Sequence, residues 1–167
     1  MNTIYHQLVA VLQSFLDIQI GTLLHTKGST PQIPGVFAVL NKEKVIFGTL
    51  GGGLLESHAQ KNAALASLNK QNTLQLVNFD ADMDDEIGAI CGGNALYVID
   101  ANPNKHLNIF LALIETLNQN RGGTLFTFFK KQTNENIEIE KHWVEQHKAL
   151  PENIENILNS TQINLNK

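Results

Sequence analysis

The chain has 167 residues, a length that is typical of a single domain. Hydrophobic residues make up 43% and charged residues 17% of the chain, and this balance excludes an intrinsically disordered protein. Twelve Lys and Arg residues against 16 Asp and Glu residues give a formal net charge of −4, which argues against a protein that binds duplex nucleic acid through a basic face.

The first part of the chain predicts a helix, three strands and a second helix. Apolar residues at spacings of three and four indicate amphipathic helices, and short apolar runs indicate strands. Between the first two strands, Thr26–Gly35 contains two Gly and two Pro residues and is predicted to be irregular over most of its length. The predicted elements are a helix at 3–17, a strand at 18–25, a hairpin at 36–40 and 45–47, and a helix at 54–69.

The second part predicts strands and helices in alternation. The elements are a strand at 73–79, an acidic turn at 80–86, a glycine-rich turn at 88–93, a strand at 95–99, a helix at 107–117, a strand at 124–129 and a short helix at 152–158. Residues 130–150 fit no single pattern, and the chain shows no repeat and no dividing linker. This order predicts an α/β or α+β fold, a single layered domain with a mixed β-sheet flanked by helices.

The first candidate site is the turn Gly51–Gly53, which lies between a strand and a helix. Consecutive glycines let a ligand approach the backbone, and a helix N-terminus attracts anions such as phosphate. No Lys-Ser/Thr pair follows the glycines, so the turn is not a Walker loop, and Glu56 stands where a dinucleotide fingerprint needs its third glycine. A tight turn with Glu56 favourably placed in the first helical turn is the alternative interpretation.

Two further motifs contain polar or reactive groups. Thr26–Gly35 offers hydrogen-bond donors such as Lys27 in a loop constrained by its two prolines, and a plain surface connection is the alternative. Cys91, the only cysteine, precedes two glycines; its thiolate suits a soft metal, whereas burial as a small apolar residue is the alternative. As a nucleophile Cys91 would need a histidine base, and His25, His58 and His106 are the candidates.

The order of these motifs is more specific than any one of them. The stretches KGSTPQIPG (27–35), GTLGGGLLE (48–56) and GAICGG (88–93) together resemble the amino-terminal domain of the XdhC/CoxI family. The part of the resemblance that contains these motifs covers about residues 18–100. It implies an accessory protein that binds the molybdenum cofactor (molybdopterin) and acts as a chaperone for a molybdenum hydroxylase such as xanthine dehydrogenase.

The resemblance also implies a set of site residues, with Cys91 close to the metal. Leu54 stands where family members often have a cysteine, and Gln32 where they often have a basic residue. No catalytic residue is predicted, so a non-catalytic protein is expected rather than an enzyme. The residues expected to bind the cofactor are Lys27, Gly28, Ser29, Thr30, Gly51, Gly52, Gly53, Glu56, Cys91, Gly92 and Gly93.

Two other functions are compatible with the sequence. One is a small enzyme acting on a phosphate- or nucleotide-bearing substrate, with Cys91 or Glu56 as its reactive group. The other is an interaction module that has lost its ligand. We expect residues 1–167 to form one domain without the family's carboxy-terminal Rossmann-like domain, and an exposed apolar surface to bind the apoenzyme, a second copy or a separate Rossmann-like partner. No basic leader and no apolar run of ~20 residues is present, so a cytoplasmic protein is expected.

Overall fold

A computed structural model describes residues 3–14, 16–28, 32–79, 93–132 and 136–165, the last six through their backbone only. Four helices and seven strands form in these ranges, with a 3-10 turn at Pro103–His106. The helices are α1 Ile4–Gln13, α2 Gly53–Asn69, α3 Leu107–Asn118 and α4 Glu152–Leu165. The strands are β1 Gln19–Gly28, β2 Phe37–Leu40, β3 Val45–Gly48, β4 Thr73–Asn78, β5 Gly93–Asp100, β6 Gly123–Lys131 and β7 Ile137–Glu145.

The strands form two sheets, a five-stranded sheet in the order β3-β2-β1-β5-β4 and a hairpin of β6 and β7. The α/β class with helices around a sheet is thereby confirmed. The sheet is not mixed as expected, because every described pair of neighbouring strands is antiparallel. The reason is that α2 connects β3 to β4, which lie at opposite edges of the sheet. The helical crossover therefore joins strands that never become neighbours.

Helix α2 covers one face of the five-stranded sheet. Ala59, Ala63 and Ala66 are at most 1% exposed and pack against a cluster that includes Tyr97 and Leu23. Small side chains allow the helix to approach the strands closely, and large ones at these positions would force it away.

The opposite face is covered by α1, α3 and the β6–β7 hairpin. Leu8 and Phe110 pack there against Ile20 from the sheet, and Ile137 and Ile139 of β7 pack against strand β5. The protein therefore has three layers, with the five-stranded sheet in the middle. None of the described helices is long and apolar enough to cross a membrane.

Helix α1 ends at Gln13 rather than at 17, and helix α4 continues to Leu165 rather than ending at 158. Two strands also differ from the sequence predictions. Strand β1 continues to Gly28, into the stretch predicted to be mostly irregular, because Lys27 and Gly28 pair with β5. Strand β7 occupies part of residues 130–150, where no element was predicted. Its buried Ile137 and Ile139 alternate with exposed Glu138, a period of two that is typical of a half-buried strand. In both strands, partners distant in sequence decide the structure.

Candidate functional site

The turn between β3 and α2 carries the first predicted site. Gly48, Gly51, Gly52 and Gly53 all have positive φ, with values of 81°, 126°, 77° and 55°. A Cβ atom built on Gly52 or Gly53 would meet no atom of the described residues within 4 Å. The backbone therefore faces open space at these two glycines, and an anion could approach it closely.

Glu56 stabilises this turn by accepting hydrogen bonds from the turn's own residues. Its Oε1 atom accepts hydrogen bonds from the Thr49 hydroxyl at 2.5 Å, the Leu50 N–H at 3.2 Å and the Gly52 N–H at 3.1 Å. The Gly51 N–H donates to the Thr49 hydroxyl at 3.0 Å. Glu56 thus holds the turn together, and its carboxylate uses donors that a bound anion would otherwise take.

Other backbone donors remain at the start of α2. Within α2, the first main-chain hydrogen bond runs from the Glu56 N–H to the Gly52 carbonyl. The N–H groups of Gly53, Leu54 and Leu55 have no carbonyl four residues earlier inside the helix, as at every helix N-terminus. These three groups, together with the partial positive charge of the helix end, are the donors available to an anion.

Replacing Glu56 by Ala should destabilise the protein by about 2 kcal/mol, because three donors lose a charged acceptor. Glu56→Gln keeps an acceptor oxygen and should cost less than about 1 kcal/mol. Urea denaturation measures both free energies of unfolding, and Glu43→Gln, on the β2–β3 turn, serves as the surface control. A loss for Glu56→Ala no larger than the control's would contradict the role assigned to Glu56.

The motif at 27–35 and the motif at 88–93 meet where β1 and β5 pair. Gly28 lies opposite Gly93, and Lys27 lies opposite Asn94. A Cβ atom on Gly93 would lie 2.2 Å from the Lys27 carbonyl oxygen, so the close approach of the two strands requires glycine there. Lys27 is exposed. Ser29, Thr30, Cys91 and Gly92 lie outside the described residues, so the predicted place of the thiol beside a metal stays a prediction.

The strand register shows that the strand leading into the glycine turn ends far along β1 from Gly28 and Gly93. Gly48 lies opposite Ala38, which lies opposite Gly21 of β1. Gly28 follows Gly21 by seven residues, roughly 23 Å of extended strand at about 3.3 Å per residue. The structure thus brings Lys27, Gly28 and Gly93 together at the end of β1, whereas Gly51–Gly53 follow a strand, β3, that ends beside the start of β1. A common pocket for the three motifs stays a prediction, because most of the third lies outside the described residues.

A polar network between α2 and β5 was not predicted from the sequence. His58 Nδ1 and the Tyr97 hydroxyl are 2.8 Å apart, and the Asn62 amide donates to the same hydroxyl at 3.0 Å. Tyr97 is fully buried, and this burial raises the pKa of its phenol well above the usual range. The hydroxyl therefore stays protonated and links the helix to the sheet. The only sequence signal is the spacing of His58 and Asn62, which places them on one side of α2.

A second unpredicted group lies where β5, β7 and the 3-10 turn meet. Asp100 and Lys141 are only 3% and 8% exposed, and His106 Nε2 lies 4.0 Å from Asp100 Oδ2. Burial lowers the pKa of Lys141, and the negative charge of Asp100 opposes this. The alternation of buried and exposed residues along 137–141 could have placed Lys141 on the inner face. Within the described residues, no three His, Cys, Asp or Glu side chains form a metal site.

His106 should make folding sensitive to mild acid. Burial lowers its pKa below the usual value, so below about pH 6.5 the unfolded chain binds the proton more readily than the folded protein. The free energy of unfolding should therefore fall as the pH drops through this range, by up to about 1.4 kcal/mol per pH unit. Urea denaturation between pH 5 and 7.5 should show a shallower dependence for His106→Gln, while His147→Gln, on the surface, should match the unmodified protein. Identical profiles for all three proteins would contradict this assignment.

Comparison with known proteins agrees with this fold. Residues 18–80 match the model of the XdhC and CoxI family. The crystal structure of a protein described as a xanthine dehydrogenase from Bacillus halodurans is similar, with a TM-score of 0.64 and 17% sequence identity. That likeness covers 87% of this chain and 46% of the other, so this chain spans about half the length of that protein. No curated protein matches the chain. The resemblance inferred from the sequence motifs is confirmed over residues 18–80, from β1 to the end of β4, where the chain matches the XdhC and CoxI family model.

Proposed function

We propose that this chain is a non-catalytic accessory protein that binds the molybdenum cofactor and assists the maturation of a molybdenum hydroxylase such as xanthine dehydrogenase. The family match over residues 18–80 carries the proposal, because it contains both the loop that begins at Lys27 and the turn Gly51–Gly53. The name of the similar Bacillus halodurans structure points to the same context. Glu56 already accepts three hydrogen bonds in the turn, which favours this function over an enzyme with Glu56 as its reactive group.

The glycine turn fits the phosphate of molybdopterin. Among the described residues, no atom lies within 4 Å of a Cβ built on Gly52 or Gly53, and the N–H groups of the first turn of α2, which have no partner inside the helix, would donate to phosphate oxygens. When bound, the cofactor supplies a metal held by a pair of dithiolene sulfurs, which suits a soft thiolate neighbour. In this proposal Cys91 contacts that metal or its sulfur, and the remaining contacts come from Lys27, Gly28, Ser29, Thr30, Gly92 and Gly93. Glu56, predicted from the sequence as a further contact, instead holds the turn that presents the N–H groups.

Exposed apolar side chains support a protein partner. Leu65 and Leu68 of α2 are 54% and 78% exposed, and Leu74 and Leu76 of the edge strand β4 are 42% and 57% exposed. Exposed apolar patches and unpaired strand edges are typical of interaction surfaces. The partner we propose is the apoenzyme of the molybdenum hydroxylase, and a second copy or a Rossmann-like domain are the alternatives.

Co-purification tests the proposed function. The protein, expressed in cells that make the cofactor, should retain molybdopterin that becomes fluorescent after oxidation. Gly53→Asp places a carboxylate beside the free N–H groups in open space, and should lower the retained amount at least ten-fold. Ser57→Asp adds the same charge to the exposed side of α2 and should retain the cofactor. Absence of molybdopterin from the unmodified protein, or equal retention by both folded variants, would overturn the proposal.

A further inference from the structure

A cavity of about 260 Å³ lies between the five-stranded sheet and the layer of α1, α3 and β6. Its wall includes three aromatic rings, of which Tyr5 contacts the other two. Tyr5 lies 5.7 Å from Phe37 and 6.4 Å from Phe110, measured between ring centroids. Phe129, which is 36% exposed, also lines the cavity. These surfaces favour a flat apolar ring, because aromatic side chains contribute large contact areas and stack with offset or tilted partners.

Lys141 is the one charged side chain in the described lining of this cavity. It comes from β7 and is only 8% exposed. Within the described residues its ammonium forms no ion pair within 4 Å, and Asp100 acts on it at longer range. An ammonium group has three N–H donors, and a buried charge is costly unless acceptors reach it. The hydroxyl-bearing residues Thr22 and Thr127 line the same space.

We propose that this cavity binds a small aromatic carboxylate. Its ring packs against Tyr5, Phe37 and Phe110, and its carboxylate accepts charge-assisted hydrogen bonds from Lys141. The volume of about 260 Å³ lies just below the ~300–1,000 Å³ of most ligand sites, so the ligand has one or two rings. The site is distinct from the proposed cofactor site, because the glycine turn leads into α2 on the opposite face of the sheet.

Two probes test the proposal on the unmodified protein. Naphthalene-2-carboxylate supplies the ring and the charge, and naphthalene-2-carboxamide has nearly the same shape without the charge. In an NMR titration the carboxylate should shift the amide signals of Thr22, Gly35 and Thr127 saturably, with a dissociation constant on the order of 1 mM or tighter. The carboxamide should bind at least ten-fold more weakly. No saturable binding, or equal affinity for the two probes, would overturn the proposal.

Variants then assign the charge recognition to Lys141. Asp100→Asn leaves the ammonium without its competing carboxylate and should bind the carboxylate probe several-fold more tightly. Adding Lys141→Met to this variant removes the cation while keeping an unbranched side chain, and should weaken binding at least ten-fold relative to Asp100→Asn alone. Lys61→Met, on the exposed side of α2, is the matched control and should bind as the unmodified protein does. If Asp100→Asn does not fold, the probe pair on the unmodified protein decides. Equal binding by the single and double variants would overturn the role of Lys141.

Discussion

Replacing Gly48 by Ala should lower the free energy of unfolding by about 3 kcal/mol. Gly48 has a φ of 81°, a region that costs an L-residue roughly 1–2 kcal/mol. An added Cβ would also lie 2.4 Å from the Phe37 carbonyl oxygen and 3.0 Å from the Ala38 Cα. Both atoms belong to the backbone of β2, so the clash cannot be relieved by turning a side chain, and overpacking of this kind typically costs about 1–3 kcal/mol.

Gly52→Ala separates the two causes. Gly52 has nearly the same φ, 77°, with a ψ of −176°, but a Cβ there would meet no atom of the described residues within 4 Å. Essentially only glycine adopts this backbone conformation, so Gly52→Ala should cost about 1–3 kcal/mol from backbone strain, without a clash. Urea denaturation of the two variants gives the comparison directly. A loss for Gly48→Ala below about 1 kcal/mol would mean that β3 can move away from β2 without cost, contrary to the packing of these strands.

Asp100→Asn should also destabilise the protein, by about 2–4 kcal/mol near neutral pH. Its carboxylate is buried and compensates the positive charge of Lys141, which is almost as deeply buried. Removing one partner of a buried pair typically costs ~3–5 kcal/mol, because the remaining charge is left uncompensated. We expect a smaller loss than this typical cost, because Asp100 and Lys141 do not form a direct ion pair among the described contacts.

A double variant and the pH dependence test whether the uncompensated charge of Lys141 causes the loss of stability in Asp100→Asn. Asp100→Asn with Lys141→Met leaves no uncompensated charge and should recover most of the loss, which a double-mutant cycle measures as coupling. Burial lowers the pKa of Lys141 in the folded protein, so the unfolded chain binds the proton more readily and stability should rise as the pH approaches 10.5. The deficit of Asp100→Asn should therefore shrink at high pH. A double variant no more stable than the single one would contradict the coupling.

The candidate site was predictable where it depends on local sequence. Three glycines before a helix identify a turn with positive φ, and Gly51, Gly52 and Gly53 adopt it. The motifs also carried the family resemblance, because their order along the chain is independent of how the strands pair. The same motifs were compatible with Glu56 as a ligand residue or as a favourable first-turn residue. Only the structure shows that it accepts three hydrogen bonds from its own turn.

Local periodicity also determined most of the elements. The three- and four-residue spacing of apolar side chains identified α1, α2 and α3, and short apolar runs identified the β2–β3 hairpin, because these patterns arise within one element. The order of the strands was not accessible in this way. An alternation of helices and strands allows both parallel and antiparallel neighbours. The sheet is antiparallel because α2 crosses from one sheet edge to the other, so the strands that it connects are not neighbours.

Only the tertiary structure shows which residues that are distant in sequence lie next to one another. Asp100, His106 and Lys141 meet because β7 packs over the end of β5, and the aromatic cavity exists because α1 and α3 lie on the same face of the sheet. Each of these residues has an ordinary local context: a strand end, a short turn and an alternating strand. Burial, and the pKa changes that follow from it, belong to the packed layers rather than to any segment. The sequence alone therefore determined the elements, the glycine turn and the family resemblance, whereas packing decided which charged groups are buried together.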